Sequence, residues 1–188
     1  RAMIRLFVAL PIPDHIRDAL TGLQNGLPGA RWTDPDNFHL TLRFIGEIDY
    51  GAAEDLAHDL MRIDAPAFDV TLDQLNWFGN KRRPSALIAQ ARKDEGLMHL
   101  QRKVESAAVR CGFKPESRKF LPHVTLARLK TTSIQEAERF VAERRLPLDR
   151  NFEADRFVLY SSFLAHTGSI YTEEADYYLR WAAYAAAE

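Results

Sequence analysis

Phe38-His39-Leu40-Thr41-Leu42 and Pro122-His123-Val124-Thr125-Leu126 repeat one pattern, His-x-Thr-hydrophobic, in the two halves of a 188-residue chain. Each lies in an apolar run of strand length. The strand period of two then sets His39 with Thr41 on one face, and His123 with Thr125 on one face. Leu40 and Val124, on the opposite faces, are left to point into a core.

The flanking sequence follows the same order in both halves. In the first, Ile4 to Leu10 reads as a strand stopped by Pro11-Ile12-Pro13. Ile16, Leu20, Leu23 and Leu27 fall at helical spacing, with Asp14 as the available cap. A second strand spans Phe38 to Ile45 and closes at Gly46; a helix follows through Leu56, Leu60 and Ile63, then a strand from Phe68 to Leu75. After the basic turn Gly79-Asn-Lys-Arg-Arg-Pro84, the order repeats: strand Ala86–Ala91, helix through Leu97, Leu100, Val104, Ala107 and Cys111, strand Leu121–Leu129. Ser133 and Glu136 form a capping box ahead of a helix bearing Ala137, Phe140 and Val141. Phe152–Tyr160 and Ile170–Leu179 read as two final strands, joined by the turn Ala165-His-Thr-Gly168. The expected fold is α+β: two similar lobes related by a pseudo-two-fold axis, each a small sheet with helices outside, facing a central cleft that carries both His-x-Thr strands. The expected domain is one bilobal unit over residues 3–179. Arg1 and Ala2 read as a tag remnant ahead of Met3, and residues 180–188 as a tail.

Two imidazoles facing one another suffice for one kind of chemistry. With an ordinary pKa near 6.5, one can be neutral and take a proton from water while the other, protonated, gives one to a departing sugar oxygen. Each role contributes about 10²–10⁴-fold. Threonine hydroxyls two residues away can donate to phosphate oxygens without titrating. Other functions use the same residues: ligation of 2′–5′ RNA ends, cleavage of another cyclic or 2′–5′ diester, or binding of nucleotides or RNA ends without turnover. A two-histidine metal site lacks third and fourth ligands at metal spacing, so neither a metal nor another cofactor is expected.

The two motifs, together with Met3-Ile-Arg-Leu-Phe-Val-Ala-Leu10, resemble the 2H phosphoesterase superfamily. His39-Leu-Thr-Leu-Arg-Phe-Ile-Gly-Glu47 and Pro122-His-Val-Thr-Leu-Ala-Arg128 resemble its RNA 2′,3′-cyclic phosphodiesterase branch, also called 2′–5′ RNA ligase, and Leu159-Tyr-Ser-Ser162 and Gly168-Ser-Ile-Tyr171 resemble that branch's closing strands. The resemblance implies hydrolysis of a cyclic phosphate to a 2′-phosphate, with His39 as general base, His123 as general acid, and Thr41, Thr125 and Arg128 on the phosphate. It also implies that Phe44 lies against the base. Phe44 and Arg128 each stand five residues after a histidine, so strict alternation turns them away: either a bulge or the strand's end re-aims them, or Phe44 packs in the core and Arg128 forms a surface ion pair. Arg43 shares the face of His39 by alternation and reads either as a phosphate contact or as a solvated cation.

Composition narrows the setting. A net charge of −1 gives no global field to attract long nucleic acid, so the expected partners are RNA ends or small nucleotides carrying a cyclic phosphate. Cys111 is the sole cysteine, which excludes an intrachain disulfide and fits a reducing, cytoplasmic compartment. No stretch is apolar enough to span a membrane, and the expected state is a monomer. Of the basic run Lys81-Arg82-Arg83, an RNA-steering role at a cleft rim is one reading and a solvated loop the other; Trp77 beside it reads as core.

Overall fold

The computed structural model describes residues 2–181; Arg1 and the alanine-rich end of the expected tail lie outside the described residues. Four helices, α1 (Asp14–Thr21), α2 (Tyr50–Leu60), α3 (Glu95–Arg110) and α4 (Ile134–Glu143), accompany nine strands. The strands are β1 (Met3–Pro11), β2 (Ala30–Trp32), β3 (His39–Asp49), β4 (Phe68–Gly79), β5 (Pro84–Ala91), β6 (His123–Leu129), β7 (Asn151–Ala154), β8 (Arg156–Ala165) and β9 (Gly168–Tyr178). They form one antiparallel sheet in the order β7-β4-β5-β6-β3-β1-β8-β9, with β2 paired to β6 off this path.

This order is two-fold about the contact between β6 and β3. Each lobe has four strands along this path, with β2 added beside β6, yet the lobes are not the sequence halves. The third strand of the first series, β4, pairs with β5 and β7, whereas β8 of the second series pairs with β1. The exchange laces the lobes together. It also bends the sheet: β7 and β8 stand six strands apart in the order, about 29 Å at ordinary strand spacing, yet only Asp155 separates them in the chain. A flat sheet cannot satisfy that connection, so the sheet curls until its ends meet. The meeting is visible where Ala67 donates to the Arg180 carbonyl and Arg180 to the Ala65 carbonyl. The run Phe152–Tyr160, expected as one strand, is therefore two, belonging to different lobes.

Strand alternation divides the buried residues into two sets. Leu6, Val8 and Leu10 of β1, Leu40 and Leu42 of β3, and Val124 and Leu126 of β6 join one apolar cluster with Ile16, Leu56, Leu100 and Phe140 of the four helices. Phe7, Ala9, Ile88 and Val158 are equally buried but belong to the other face, the floor of the cleft. The capping box forms as expected: the Ser133 hydroxyl accepts from the Glu136 amide at 3.1 Å, and the Glu136 carboxylate accepts from the Ser133 amide at 2.9 Å. Asp14 is not a cap. It is the first helical residue, and its carboxylate accepts from Arg17. Helix α1 also stops at Thr21, six residues before the expected end, while Leu23 and Leu27 stay buried in the turns that follow. Strand β3 does not close at Gly46; that glycine takes a φ of +94° inside the strand and lets it continue to Asp49.

At the centre of the sheet the two His-x-Thr strands meet through a narrow seam. Leu40 and Val124 are the single paired position between β3 and β6, and both are fully buried. Truncating Leu40 to alanine removes apolar contacts shared by both lobes, so Leu40→Ala should lower unfolding free energy by about 2–5 kcal/mol. Leu148→Ala, at a fully solvated position, should stay within about 0.5 kcal/mol of wild type. Urea denaturation checks both; a Leu40→Ala loss below about 1 kcal/mol would show that the seam does not bear on stability.

Candidate active site

The two His-x-Thr strands meet the rest of the sheet in the same way. From the histidine onward, the first six residues of β3 and β6 share one burial sequence: intermediate, buried, intermediate, buried, buried, exposed. The two consecutive buried positions mark a bulge. Opposite β1, Thr41 pairs with Ala9 and Arg43 with Val8, leaving Leu42 as the extra residue. Opposite β5, Thr125 pairs with Ile88 and Ala127 with Leu87, leaving Leu126 as the extra residue. A bulge at this point shifts the alternation by one. It re-aims Phe44 and Arg128 to the face of the histidines, as their expected roles require. Phe44 is 59% exposed there, and the Phe7 ring contacts both it and His39.

The same shift removes Arg43 from that face. Its side chain is 8% exposed, and its guanidinium donates to the Glu105 carboxylate and the Lys114 carbonyl. Alternation alone placed Arg43 beside His39. The bulge instead commits it to a buried ion pair that ties β3 to α3 and the loop after it, so it is not presented as a free phosphate contact. Its counterpart in β6 is Ala127, which carries no charge to place.

Each imidazole is oriented by the backbone just before its strand. His39 Nδ1 lies 2.8 Å from the Asn37 carbonyl oxygen, and His123 Nδ1 lies 2.6 Å from that of Leu121. A carbonyl only accepts, so Nδ1 carries the proton in both rings, and the free position of the neutral form is Nε2. The antiparallel register, with Leu40 opposite Val124, turns His39 toward the position of Thr125 and His123 toward that of Thr41. Neither threonine hydroxyl nor the Arg128 guanidinium has a hydrogen-bond or ion-pair partner among the described residues. The site thus gathers two imidazoles, two hydroxyls and one cation, a set that can donate to a phosphate and move protons on either side of it.

The surroundings distinguish the two histidines. Three rings crowd His39: Phe7 at 4.7 Å, Tyr171 edge-on at 5.3 Å and Tyr160 at 6.4 Å between centroids. His123 has Phe78, edge-on at 4.8 Å. Burial lowers the pKa of both imidazoles; the hydrogen-bonded carbonyls oppose it in part, and the positive charge of Arg128 adds to it. His39 is lowered further by the charge of His123. Both folded-state values therefore lie below the ordinary value near 6.5. The stability that these neutral rings contribute is complete above about pH 6.5 and is lost as pH falls through the lowered folded values.

Two cavities flank the pair. One of about 550 Å³ contains His39, with Asn37, Tyr160 and Tyr171 in its wall. The other, about 1000 Å³, contains His123, Thr41, Phe44 and Arg128. Sequence reasoning named none of the aromatic residues around His39 as part of the site, although Phe7, Tyr160 and Tyr171 all stood in stretches noted for their resemblance, Met3–Leu10, Leu159–Ser162 and Gly168–Tyr171. Trp77, expected in the core, is half-buried in the wall of the larger cavity and outside the core cluster. Among the described residues, no group of three or more His, Cys, Asp or Glu side chains is placed to hold a metal ion, and no helix is long and apolar enough to cross a membrane.

Comparison with known proteins finds relatives over most of the chain. A protein of Thermotoga maritima named RNA 2′,3′-cyclic phosphodiesterase is 29% identical over 174 residues, which span 89% of this chain and 91% of the relative. The crystal structure of E. coli LigT in apo form matches with a TM-score of 0.80 at 26% identity, covering 96% of this chain and 99% of LigT. LigT complexed with 3′-AMP matches with a TM-score of 0.78 at 27% identity, covering 95% and 99%. The family described as LigT-like phosphoesterase matches twice, at residues 10–88 and 89–171, one copy for each His-x-Thr strand. The chain belongs to the LigT-like phosphoesterase family.

Proposed function

We propose that this phosphoesterase opens the 2′,3′-cyclic phosphate of an RNA or nucleoside end to a 2′-phosphomonoester, without a metal ion, using His39 as general base and His123 as general acid. The observation that carries the reading is the matched pair of imidazoles, each held through Nδ1 by a carbonyl two residues earlier, on equivalent strands of one cleft. The name of the Thermotoga relative and the 3′-AMP bound by LigT support the substrate class.

In this mechanism the water oxygen attacks phosphorus while its proton passes to His39 Nε2. The bond from phosphorus to the 3′ oxygen breaks, and His123 Nε2 gives that oxygen its proton. Thr41, Thr125 and Arg128 donate to the non-bridging oxygens, where charge gathers in the transition state. The five-membered ring supplies strain that an acyclic diester lacks. Two differences between the histidines support this direction. His39 is the more enclosed and carries the extra downward push from His123, which favours it as the neutral partner. His123 shares its cavity with Phe44 and Arg128, where the nucleotide and its leaving oxygen would lie. Ligation of 2′–5′ ends would use the same residues with a 5′-hydroxyl in place of water, so product identity separates the two.

His39→Ala and His123→Ala should each lower kcat by about 10²-fold or more on a nucleoside 2′,3′-cyclic phosphate, with the fold retained by circular dichroism. The wild-type product, formed equally well in strong chelator, should be the 2′-monoester. Near-wild-type turnover in either variant would remove the two-histidine mechanism, and loss of activity in chelator would remove its metal independence.

Because both imidazoles titrate below their ordinary value, the bell-shaped kcat/KM profile of the free enzyme should peak on the acid side of about pH 6.5. Bound anionic phosphate favours the charged imidazoles, so the limbs of the kcat profile should move to higher pH. Arg128→Met removes a cation that lowers both groups and should move both kcat/KM limbs upward. Limbs that stay fixed or move downward in Arg128→Met would place Arg128 away from the pair.

A further inference from the structure

The hairpin of β8 and β9 does not stay in the sheet to its end. β8 lies beside β1 from Val158, opposite Ala9, to Ser161, opposite Leu6, and there the pairing stops. The two strands go on pairing with each other as far as Ala165 and Gly168. β9 is an edge strand, so the end of the hairpin, residues 162–171, has no third strand beside it. Its heading at Ser161 is toward Met3, the start of β1. Yet it reaches Asn37, which stands past Pro11, the partner of His39 at the other end of β1. Leu6 and Pro11 are five residues apart, about 17 Å of strand. The hairpin end therefore folds back over the cleft face as an arm. Tyr171 marks its inner side: the ring meets Phe7 edge-on at 5.0 Å and His39 edge-on at 5.3 Å.

Little else holds this arm down. Phe163, Leu164 and Ile170 are 68%, 80% and 51% exposed, so these side chains do not seat it on the body of the protein. Among the described residues a single hydrogen bond joins the arm to anything outside its own hairpin: the Asn37 carboxamide donates to the Ser169 carbonyl at 2.9 Å. The backbone carbonyl of the same Asn37 lies 2.8 Å from His39 Nδ1. The 3₁₀ turn Pro35–Asn37 seats the residue for both contacts: its amide donates to the Asp34 carbonyl at 2.8 Å, and the Phe38 amide to the Pro35 carbonyl at 3.1 Å. That turn leaves the Asn37 carbonyl and carboxamide to their two partners, one on the base and one on the arm. The matching residue on the other side is Leu121, whose side chain has no donor with which to latch anything.

We infer that Asn37 is a positioning residue that latches the β8–β9 arm over His39, so that one side chain sets both the closure of the arm and the aim of the general base. With the latch made, Tyr171 covers one side of the imidazole and keeps water from it. With the latch broken, the ring leaves, and the residue whose carbonyl holds Nδ1 loses its tie to β9. An element with one hydrogen bond and few apolar contacts to the body belongs to the least stable part of a fold. It can therefore open for substrate and product and close between them. The consequence for catalysis rests on the proposed role of His39 as base; the latch itself does not.

The test begins on the free enzyme at about pH 8, where both imidazoles are neutral. There the His39 ring protons feel the ring current of Tyr171, which proton NMR reads, with His39→Ala and His123→Ala assigning the two histidines. Asn37→Ala and the near-isosteric Asn37→Leu should both move the His39 Hε1 resonance in the direction that Tyr171→Leu moves it, and leave His123 Hε1 in place. Amide hydrogen exchange over residues 162–171 should quicken by about two- to tenfold in both Asn37 variants, the range for one neutral hydrogen bond, while exchange in β3 and β6 keeps its wild-type rate. On a nucleoside 2′,3′-cyclic phosphate kcat should fall by a similar factor, with KM within about twofold of wild type, because the phosphate donors are untouched. Faster exchange in β3 and β6 as well, or a displaced His123 resonance, would make Asn37 a general prop of the fold and overturn the latch. A His39 resonance and hairpin exchange unchanged in both variants would overturn it too. A loosened arm with kcat unaltered would overturn its bearing on the base. Absence of turnover in the wild type, with the resonance and exchange results as expected, would remove the proposed reaction and leave the latch standing.

Discussion

The carbonyl oxygen two residues before each histidine governs the site. An imidazole offers its two nitrogens almost equally, and a free ring exchanges tautomers and rotates. Once Nδ1 is committed to the Asn37 or Leu121 carbonyl, one tautomer remains and the ring points Nε2 outward. That contact requires the residue two before the histidine to present its carbonyl along the strand axis. On the first side this is met by the single 3₁₀ turn Pro35–Asn37, with the Asp34 carboxylate accepting from the Asp36 amide. On the second it is met by the segment ending at Leu121-Pro122, where the Pro122 carbonyl is itself anchored by the Ala91 amide. The two lobes reach one geometry through different local structure, which is why symmetry of the strands does not extend to the loops.

Much of this was legible in the sequence because it depends on local patterning. The His-x-Thr repeat, its place in the second strand of each series, the helical faces of α2 and α3, and the Ser133–Glu136 box are all set by period and capping chemistry. What was not legible depends on partners distant in the chain. No period in Phe68–Leu75 or Phe152–Tyr160 reveals that β4 and β8 change lobes, because any apolar strand fits either place. Strand β2 is three residues long, too short to show a period, and exists because it completes the edge of β6. The bulges at Leu42 and Leu126 leave the residue pattern apolar throughout and appear only in the pairing. One of them has a visible anchor: the Leu126 carbonyl accepts from the Thr33 amide and the Gln24 carboxamide. That one-residue shift decides the site's membership, admitting Phe44 and Arg128 and sending Arg43 to Glu105.

Symmetric strands give two equivalent histidines, and a directional reaction needs them unequal. The inequality comes from residues that the repeat does not share. β1 supplies Phe7, and β8 and β9 bring Tyr160 and Tyr171 to His39, so it is enclosed by rings while His123 is not. Burial and the nearby Glu173 push the Tyr160 hydroxyl up to about 12, so it stays protonated as a neutral wall. Charge is divided in the same sense, with carboxylates outnumbering cations beside His39 and cations outnumbering carboxylates beside His123. The fold thus supplies a repeated scaffold, and unmatched side chains around it supply the direction.

The division of labour between the histidines is tested most directly with a nucleoside cyclic phosphate whose 3′ bridging oxygen is replaced by sulfur. A thiolate departs without receiving a proton, so the general acid becomes dispensable while the general base does not. On this substrate His123→Ala should recover most of the activity that it loses on the oxygen substrate, and His39→Ala should not. Recovery by His39→Ala instead would reverse the roles, and recovery by neither would mean that the imidazoles act by holding the phosphate rather than by moving protons.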